Sequence, residues 1–248
     1  MRKTETPASL SAASRPRPAR GDTTKNETTA SLSPRFAGLG PLRGHARETE
    51  TPASLKAPLR GDARWGIRVY DSVLPPTFCA DVISLFDGIP NKGMHDGDWR
   101  RCFEYPTFDQ TPHWPEFRRI IGETLNRYRA DIESDGANMV NMIEAPNVFR
   151  YDVSGKPHLF ARHADAWNTD SATRQISIIA YLNDVEEGGE TKFADLDVKV
   201  APRRGRVLAF PSSFLFMHAG LPPLSGPKYV IVTWLHFAGP TAYRSHPL

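Results

Sequence analysis

Aromatic residues are confined almost entirely to one part of the chain, and this limits where a hydrophobic core can form. Of the 25 Phe, Trp and Tyr residues, only Phe36 precedes Trp65. Ser, Thr, Pro, Arg and Gly dominate the first quarter of the sequence, where one seven-residue segment occurs twice, letter for letter. Such a composition buries too little apolar surface to fold. The sequence therefore predicts a disordered low-complexity tail over residues 1–64 and one folded domain over residues 65–248.

The charge of the chain divides at the same place. Residues 1–64 contain 12 Lys and Arg against 6 Asp and Glu, whereas residues 65–248 contain 19 against 22. We expect no nucleic-acid partner for the folded domain, because only the basic tail would bind one, and weakly. No apolar stretch approaches the ~18 residues of a membrane span, and the amino terminus lacks the apolar segment of a secretory signal. Two cysteines cannot form a disulfide framework, so we expect a cytoplasmic protein without membrane attachment.

The apolar periodicity changes midway through the domain. Helical spacing predicts one helix opening at Pro75-Pro76-Thr77 and stopped by Gly88, and a second from Trp114 to Glu133. From Val140 onward, short apolar runs alternate with turns rich in glycine and proline. The predicted strands are 140–151, 175–182, 191–193, 197–201, 206–210 and 229–237. Helices followed by many short strands predict an α+β domain with a β-sandwich or barrel core.

Three residues of the strand-rich half indicate a metal site. His163 and Asp165 lie two residues apart on an extended segment, so their side chains point to the same face. This pair alone is common at protein surfaces. His218 is the best candidate among the eight histidines for a third ligand, because it follows a buried strand and a short connecting segment. Two histidines and one carboxylate with open positions are the ligand set of non-haem Fe(II) oxygenases.

A lysine at the start of an apolar strand is the second unusual feature. Lys228 follows His218 by ten residues and opens the strand predicted at 229–237. If its side chain faces inward, the ammonium group needs an anionic partner. If it lies at an edge or a turn, water surrounds it and no partner is needed. The residues alone leave both alternatives open.

These features belong to a series of motifs that resembles the 2-oxoglutarate- and Fe(II)-dependent dioxygenases, in their prolyl 4-hydroxylase-like branch. The resemblance covers about residues 66–237, and its specificity comes from the joint order and spacing of the motifs. In chain order these are His163-Ala164-Asp165, Ile179-Ala180-Tyr181-Leu182-Asn183-Asp184, Glu187-Gly188-Gly189-Glu190-Thr191-Lys192-Phe193, Val200-Ala201-Pro202, Phe210-Pro211, His218, Lys228 and Trp234.

The resemblance implies a fold and a metal. The fold is a double-stranded β-helix, or jelly roll, with the N-terminal helices packed on one side. His163, Asp165 and His218 would bind Fe(II), and Lys228 would pair with the distal carboxylate of the co-substrate 2-oxoglutarate. Trp234, on the last strand, is expected in the core. O2 is the other co-substrate, and ascorbate is implied as an accessory reductant.

Two tyrosines are further candidates for the co-substrate pocket. Tyr181 stands where the family often has a tyrosine hydroxyl on the same carboxylate, although an aromatic core residue is the alternative. Tyr151 lies on the strand before the metal pair, where a tyrosine often lines the pocket. Its 12-residue interval to His163 is longer than is typical of the family.

The implied activity is hydroxylation of an unactivated C–H bond, with release of succinate and CO2. The resemblance favours a prolyl or other amino-acid side chain, peptidyl or free, as the substrate. A nucleic-acid demethylase of the same fold is one alternative, and Lys228 and the acidic domain argue against it. A non-catalytic jelly-roll binding module is the other, and the intact set of three ligands and lysine argues against that. Residues 87–113 and 152–162 are the predicted substrate loops.

Overall fold

The computed structural model describes residues 66–90, 92–153 and 155–248. The predicted disordered tail at 1–64 and the predicted domain start at Trp65 lie outside the described residues. Within the described ranges, no helix combines the length and the apolar character that crossing a membrane would require.

Both predicted helices are present, with ends within one residue of those expected. Helix α1 spans Pro76–Gly88, helix α2 spans Trp114–Ile132, and a short helix α3 spans Asp135–Asn138. Proline is tolerated in the first turn of α1, because the backbone N–H that proline lacks would have no hydrogen-bond partner within the helix at that position. The buried side chains of α1 and α2 recur at helical spacing and pack together against one face of the sheet.

The strands of the described residues form one antiparallel sheet of thirteen strands. They are β1 Arg68–Tyr70, β2 Gly93–Asp96, β3 Arg100–Tyr105, β4 Val140–Glu144, β5 Asn147–Tyr151, β6 Leu159–His163, β7 Arg174–Tyr181, β8 Thr191–Phe193, β9 Val198–Val200, β10 Val207–Pro211, β11 His218–Gly220, β12 Lys228–Phe237 and β13 Ser245–Pro247. The main path runs β1-β10-β7-β12-β5-β3-β6-β11-β8-β9. The sheet curls into a nearly closed barrel with few helices, which confirms the α+β jelly-roll prediction.

The strand predictions needed two corrections. The single strand predicted at 140–151 is two strands, β4 and β5, because Pro146 between them has no N–H for a continuous ladder. The predicted loop at 87–113 contains the hairpin β2–β3, and β6 begins within the predicted loop at 152–162. Because β3 contains several charged residues, the alternation of apolar and polar residues that predicts a strand is not visible in its sequence.

The central strands β7 and β12 are buried on both faces, which explains their continuous apolar sequence. Successive side chains of a strand point to opposite faces. One set packs against α1 and α2, including Ile178 on β7 and Ile231 on β12. The other set faces the barrel interior and lines its cavity. The inward residues are Ser177, Ile179 and Tyr181 on β7, and Lys228, Val230, Val232 and Trp234 on β12.

Candidate active site

The barrel interior holds a cavity of about 440 Å³. All of the residues that the sequence nominated for a site line it, although they come from five different strands and one loop. They are His163, Asp165, His218, Lys228, Tyr181 and Tyr151. The fold therefore brings the six nominated residues together in one place, which makes their predicted roles testable as a set.

The three proposed metal ligands converge on one point. Nε2 of His163 lies 3.4 Å from Oδ1 of Asp165, and Nε2 of His218 lies 3.7 Å from Oδ2 of the same carboxylate. One ligand atom from each residue lies within 4.8 Å of the others. The strands β6 and β11 produce this approach, because His163 and His218 are directly paired across the ladder.

The backbone fixes the orientation of both imidazoles. Nδ1 of His163 lies 2.8 Å from the carbonyl oxygen of Ala161, and Nδ1 of His218 lies 3.0 Å from that of Phe216. A carbonyl oxygen only accepts hydrogen bonds, so each Nδ1 carries the proton and donates it. The lone pair of each Nε2 is therefore directed toward the carboxylate, which is the arrangement that a metal ligand requires.

Hydrogen bonds also hold the carboxylate of Asp165. The hydroxyl of Ser177 donates to Oδ2 at 2.5 Å and lies 2.8 Å from the hydroxyl of Ser212. Burial acts to raise the pKa of Asp165, but the neighbouring histidines and this hydroxyl outweigh burial and hold the pKa below its ordinary value. Burial lowers the pKa of His218 to about 4. At neutral pH the site thus offers an ionised carboxylate and a neutral imidazole.

This donor set fits Fe(II). Two imidazoles and one carboxylate on one side of a point, with the cavity on the other side, match the facial ligand arrangement of non-haem Fe(II) oxygenases. Each of the three ligands is also hydrogen-bonded to a neighbouring group, as ligands of protein metal sites commonly are. His163, Asp165 and His218 would therefore hold the metal.

Lys228 faces inward, so the alternative of a solvated edge lysine is wrong. Its side chain is 3% exposed. Nζ donates a hydrogen bond to the carbonyl oxygen of Gly189 at 2.9 Å and lies 4.4 Å from the centre of the Tyr151 ring. No carboxylate of the described residues pairs with it, and burial lowers its pKa to about 8. Lys228 is thus a buried cation that lacks an anion.

Glycines shape the space around Lys228. Gly189 has a φ of +75°, a conformation that L side chains rarely adopt, and this turn presents its carbonyl to the lysine. A Cβ added at Gly220 would lie 3.7 Å from Nζ. From the sequence, the glycine pair at 188–189 predicts only a turn.

The two tyrosines lie at the lysine end of the cavity. The ring of Tyr151 supports Nζ of Lys228, since the two residues are paired across β5 and β12. The hydroxyl of Tyr181 is 2.6 Å from the hydroxyl of Thr191, which also lines the cavity. Both phenols are buried, and burial raises both pKa values, so both remain neutral donors at physiological pH.

Two charged residues at the end of the cavity away from Lys228 were not predicted from the sequence. The guanidinium of Arg174 makes a paired interaction with the buried carboxylate of Glu144, at 3.0 Å from Nε and 2.9 Å from Nη2. It also stacks 3.5 Å from the ring centre of Trp234, which was expected in the core but lines the cavity. The available signal in the sequence was Glu144, a charged residue in the apolar strand β4. Lys228 was noticed for the same reason.

The comparisons with known proteins agree with this geometry. The profile of the 2OG-Fe(II) oxygenase superfamily matches residues 146–236, a segment that includes all three proposed ligands and Lys228. Residues 146–236 of this chain are therefore similar to a 2OG-Fe(II) oxygenase domain. A probable prolyl 4-hydroxylase 9 of Arabidopsis thaliana is 31% identical over 119 residues. The match covers 37% of this chain and 40% of that relative.

Two solved structures share the fold of the oxygenase domain. A viral collagen prolyl hydroxylase from Paramecium Bursaria Chlorella virus-1, in complex with 2OG, aligns with a TM-score of 0.53 and 20% identity, covering 69% of this chain and 96% of that one. A Trichoplax adhaerens prolyl hydroxylase, in complex with a hypoxia inducible factor peptide fragment, aligns with a TM-score of 0.55 and 19% identity, covering 69% and 84%. The prolyl 4-hydroxylase-like resemblance is thereby confirmed.

Proposed function

We propose that the protein is an Fe(II)- and 2-oxoglutarate-dependent dioxygenase that hydroxylates a prolyl or other amino-acid side chain. One C–H bond of the substrate becomes C–OH, while O2 and 2-oxoglutarate are converted to the hydroxyl oxygen, succinate and CO2. The observation that carries the proposal is the pairing of two features in one cavity. A triad suited to Fe(II) lies in the same cavity as a buried lysine without an anion.

The side chains that line the cavity have separate roles in the proposed reaction. The ammonium of Lys228 would bind the distal carboxylate of 2-oxoglutarate, a strong charge-assisted contact because the site is dry. The Tyr181 hydroxyl and the Tyr151 ring flank that position. When bound at the triad, Fe(II) would supply the activation of O2 that the C–H bond requires. The protein residues contribute position, charge and the exclusion of water.

The end of the cavity away from Lys228 supports an amino-acid substrate. Arg174, stacked on the ring of Trp234 and locked by Glu144, presents a flat and rigid surface beside the metal triad. Such a surface suits a compact ring such as that of proline. The names of the similar proteins, several of which are prolyl hydroxylases, support the same class of substrate.

Succinate formation tests the proposal. The protein is incubated with Fe(II), ascorbate, O2 and 2-oxoglutarate, with and without a library of proline-containing peptides. We expect succinate to accumulate faster with a substrate peptide, which should gain the mass of one oxygen atom. His218→Ala should abolish both signals, whereas His113→Gln, which removes a histidine far from the cavity, should retain them. Failure of the wild type to form succinate with any peptide would favour a binding module instead.

A further inference from the structure

Four Lys or Arg side chains among the described residues line the cavity, and one of them has a carboxylate nearby but no hydrogen bond to it. Arg174 is paired with Glu144. Arg244 is paired with a carboxylate outside the cavity. Lys228 takes the distal carboxylate of 2-oxoglutarate in the proposed function. Arg100, at the start of β3, is the remaining cation.

The guanidinium of Arg100 is held between two aromatic rings, and its hydrogen-bonding neighbour is the side chain of Cys102 rather than an oxygen atom. Its central carbon lies 4.4 Å from the ring centre of Phe149 and 4.9 Å from that of Phe160. Nε is buried and has no partner. The carboxylate of Glu104 is 3.7 Å from Nη2, which is longer than a hydrogen bond, and its other oxygen is bonded to His95. No oxygen of the described residues accepts a hydrogen bond from Arg100.

This environment selects for a flat anion. Aromatic rings cover the apolar surface of the guanidinium and keep it dry, while its N–H edge remains available. That edge matches the two oxygens of a carboxylate, which it binds with two parallel hydrogen bonds. Phe160 also stacks against the imidazole of His163, with ring centres 3.7 Å apart. A carboxylate bound by Arg100 would therefore lie close to the proposed metal site.

We propose that Arg100 binds a carboxylate of the substrate, so that the enzyme selects an anionic amino acid or peptide. This inference rests on the proposed function, which assigns the distal carboxylate of 2-oxoglutarate to Lys228; the 2-oxo acid end of that molecule would be held at the metal. A third carboxylate in the cavity must then come from the substrate. Its source is either a free α-carboxylate on the reacting proline or an acidic side chain next to it.

Matched pairs of ligands distinguish these two sources. N-acetyl-L-proline and N-acetyl-L-prolinamide differ only in the α-carboxylate. The dipeptides Ac-Pro-Glu-NH2 and Ac-Pro-Gln-NH2 differ only in a side-chain carboxylate. Each is titrated calorimetrically into the full chain with Mn(II) replacing iron and 2-oxoglutarate saturating, so that no turnover is involved. We expect one acid to bind about ten- to hundredfold more tightly than its amide, as for a hydrogen bond to a charged group.

Variants of two adjacent arginines show which residue causes the preference for the acid over the amide. Arg100→Gln should bind the acid and the amide equally. Arg100→Lys should recover part of the difference in affinity, because lysine keeps the positive charge but lacks the paired N–H donors of the guanidinium. Arg101→Gln is the matched control: it removes the same charge one residue away, from a side chain paired with Asp96 outside the cavity. It should retain the wild-type preference. Circular dichroism should show the same fold in all variants.

Three outcomes would overturn the inference. The first is equal binding of acid and amide by the wild type in both pairs, and the second is no binding of any probe. The third is a loss of 2-oxoglutarate affinity in Arg100→Gln, which would place Arg100 in the co-substrate site. None of these outcomes removes 2-oxoglutarate binding or succinate formation by the wild type. Absence of those two signals would instead count against the proposed function.

Discussion

Lys228 shows how a single buried charge makes ligand binding sensitive to pH. Burial lowers the pKa of its ammonium from an ordinary 10.5 to about 8. Between these values the folded protein binds fewer protons at this site than the unfolded chain. The lysine therefore destabilises the fold in full below pH 8, and this cost disappears as the pH rises through the window. A bound carboxylate reverses the preference, because it favours the charged form.

The affinity for 2-oxoglutarate should follow this titration. We expect the dissociation constant to be nearly constant below pH 8 and to rise about tenfold per pH unit above it, with uptake of a proton on binding. Calorimetry in two buffers of different ionisation enthalpy measures both quantities. Lys228→Arg should show no such rise, since arginine keeps its charge. A dissociation constant that stays level from pH 7 to pH 10 in the wild type would contradict the assignment.

At the residue scale, the sequence was informative where a polar group interrupts a pattern. Lys228 opens an apolar strand, and this anomaly left a buried cation and a solvated edge lysine as alternatives, of which the fold shows the buried cation. Glu144 is a similar anomaly within β4, but no partner for it was visible in the sequence. Arg100 gave no signal, because β3 contains charged residues throughout and only the fold shows that Arg100 faces the cavity while Arg101 pairs with Asp96.

At the scale of elements, β7 connects the core to the metal site. Its residues alternate between the helix-facing core and the cavity, so Ser177 points at Asp165 while Ile178 packs beneath α1 and α2. The periodicity predicted the strand but not which face is functional. That distinction depends on the tertiary arrangement, because both faces of β7 are buried and a strand of this kind reads as uniformly apolar.

Ser177 should act as a positioning residue for the metal. Ser177→Ala removes the hydroxyl that orients the Asp165 carboxylate, and we expect about a ten- to hundredfold loss of metal affinity. Competition with a chelator, monitored with Mn(II) or Fe(II), measures this loss. Ser212→Ala is the matched control, since it removes a hydroxyl that contacts Ser177 rather than Asp165, and its effect should be smaller. Unchanged metal affinity in Ser177→Ala would show that Asp165 needs no such support.

The hairpin β2–β3 marks a limit of reasoning from local pattern. The segment 87–113 was predicted as a substrate loop of the fold that the motifs imply. In the fold, β3 lies between β5 and β6 and closes the sheet beside the metal ligands. Pairing with distant strands stabilises it, and such long-range partners are not visible in a single stretch of sequence.

At the scale of the whole molecule, the boundary near Trp65 remains a prediction. We expect deletion of residues 1–64 to leave the melting temperature and succinate formation nearly unchanged, because that segment contains almost no apolar surface to bury. Differential scanning calorimetry and the succinate assay on the full and shortened chains measure this. A large fall in melting temperature would mean that the tail contributes to the fold. The cytoplasmic location also stays a prediction.

The described part of the chain is a barrel, and we propose that its interior contains two complementary sites, one for a metal and one for an anion. The jelly-roll core, both helices and the nominated residues were predictable, because their motifs occur in a fixed order. The end of the cavity away from Lys228 was not, because Arg174 and Trp234 become neighbours only when the distant strands β7 and β12 pair. The central claim is that the triad and Lys228 together form one binding site for 2-oxoglutarate.

Titration of 2-oxoglutarate into the wild type, Lys228→Ala and Lys228→Arg at saturating Mn(II) tests that claim most directly. Loss of one partner of a buried charge pair costs ~3–5 kcal/mol. We therefore predict that Lys228→Ala binds 2-oxoglutarate about a hundred- to a few thousandfold more weakly, with its metal affinity unchanged. Lys228→Arg should recover part of the loss. Equal affinities in all three proteins would contradict the account.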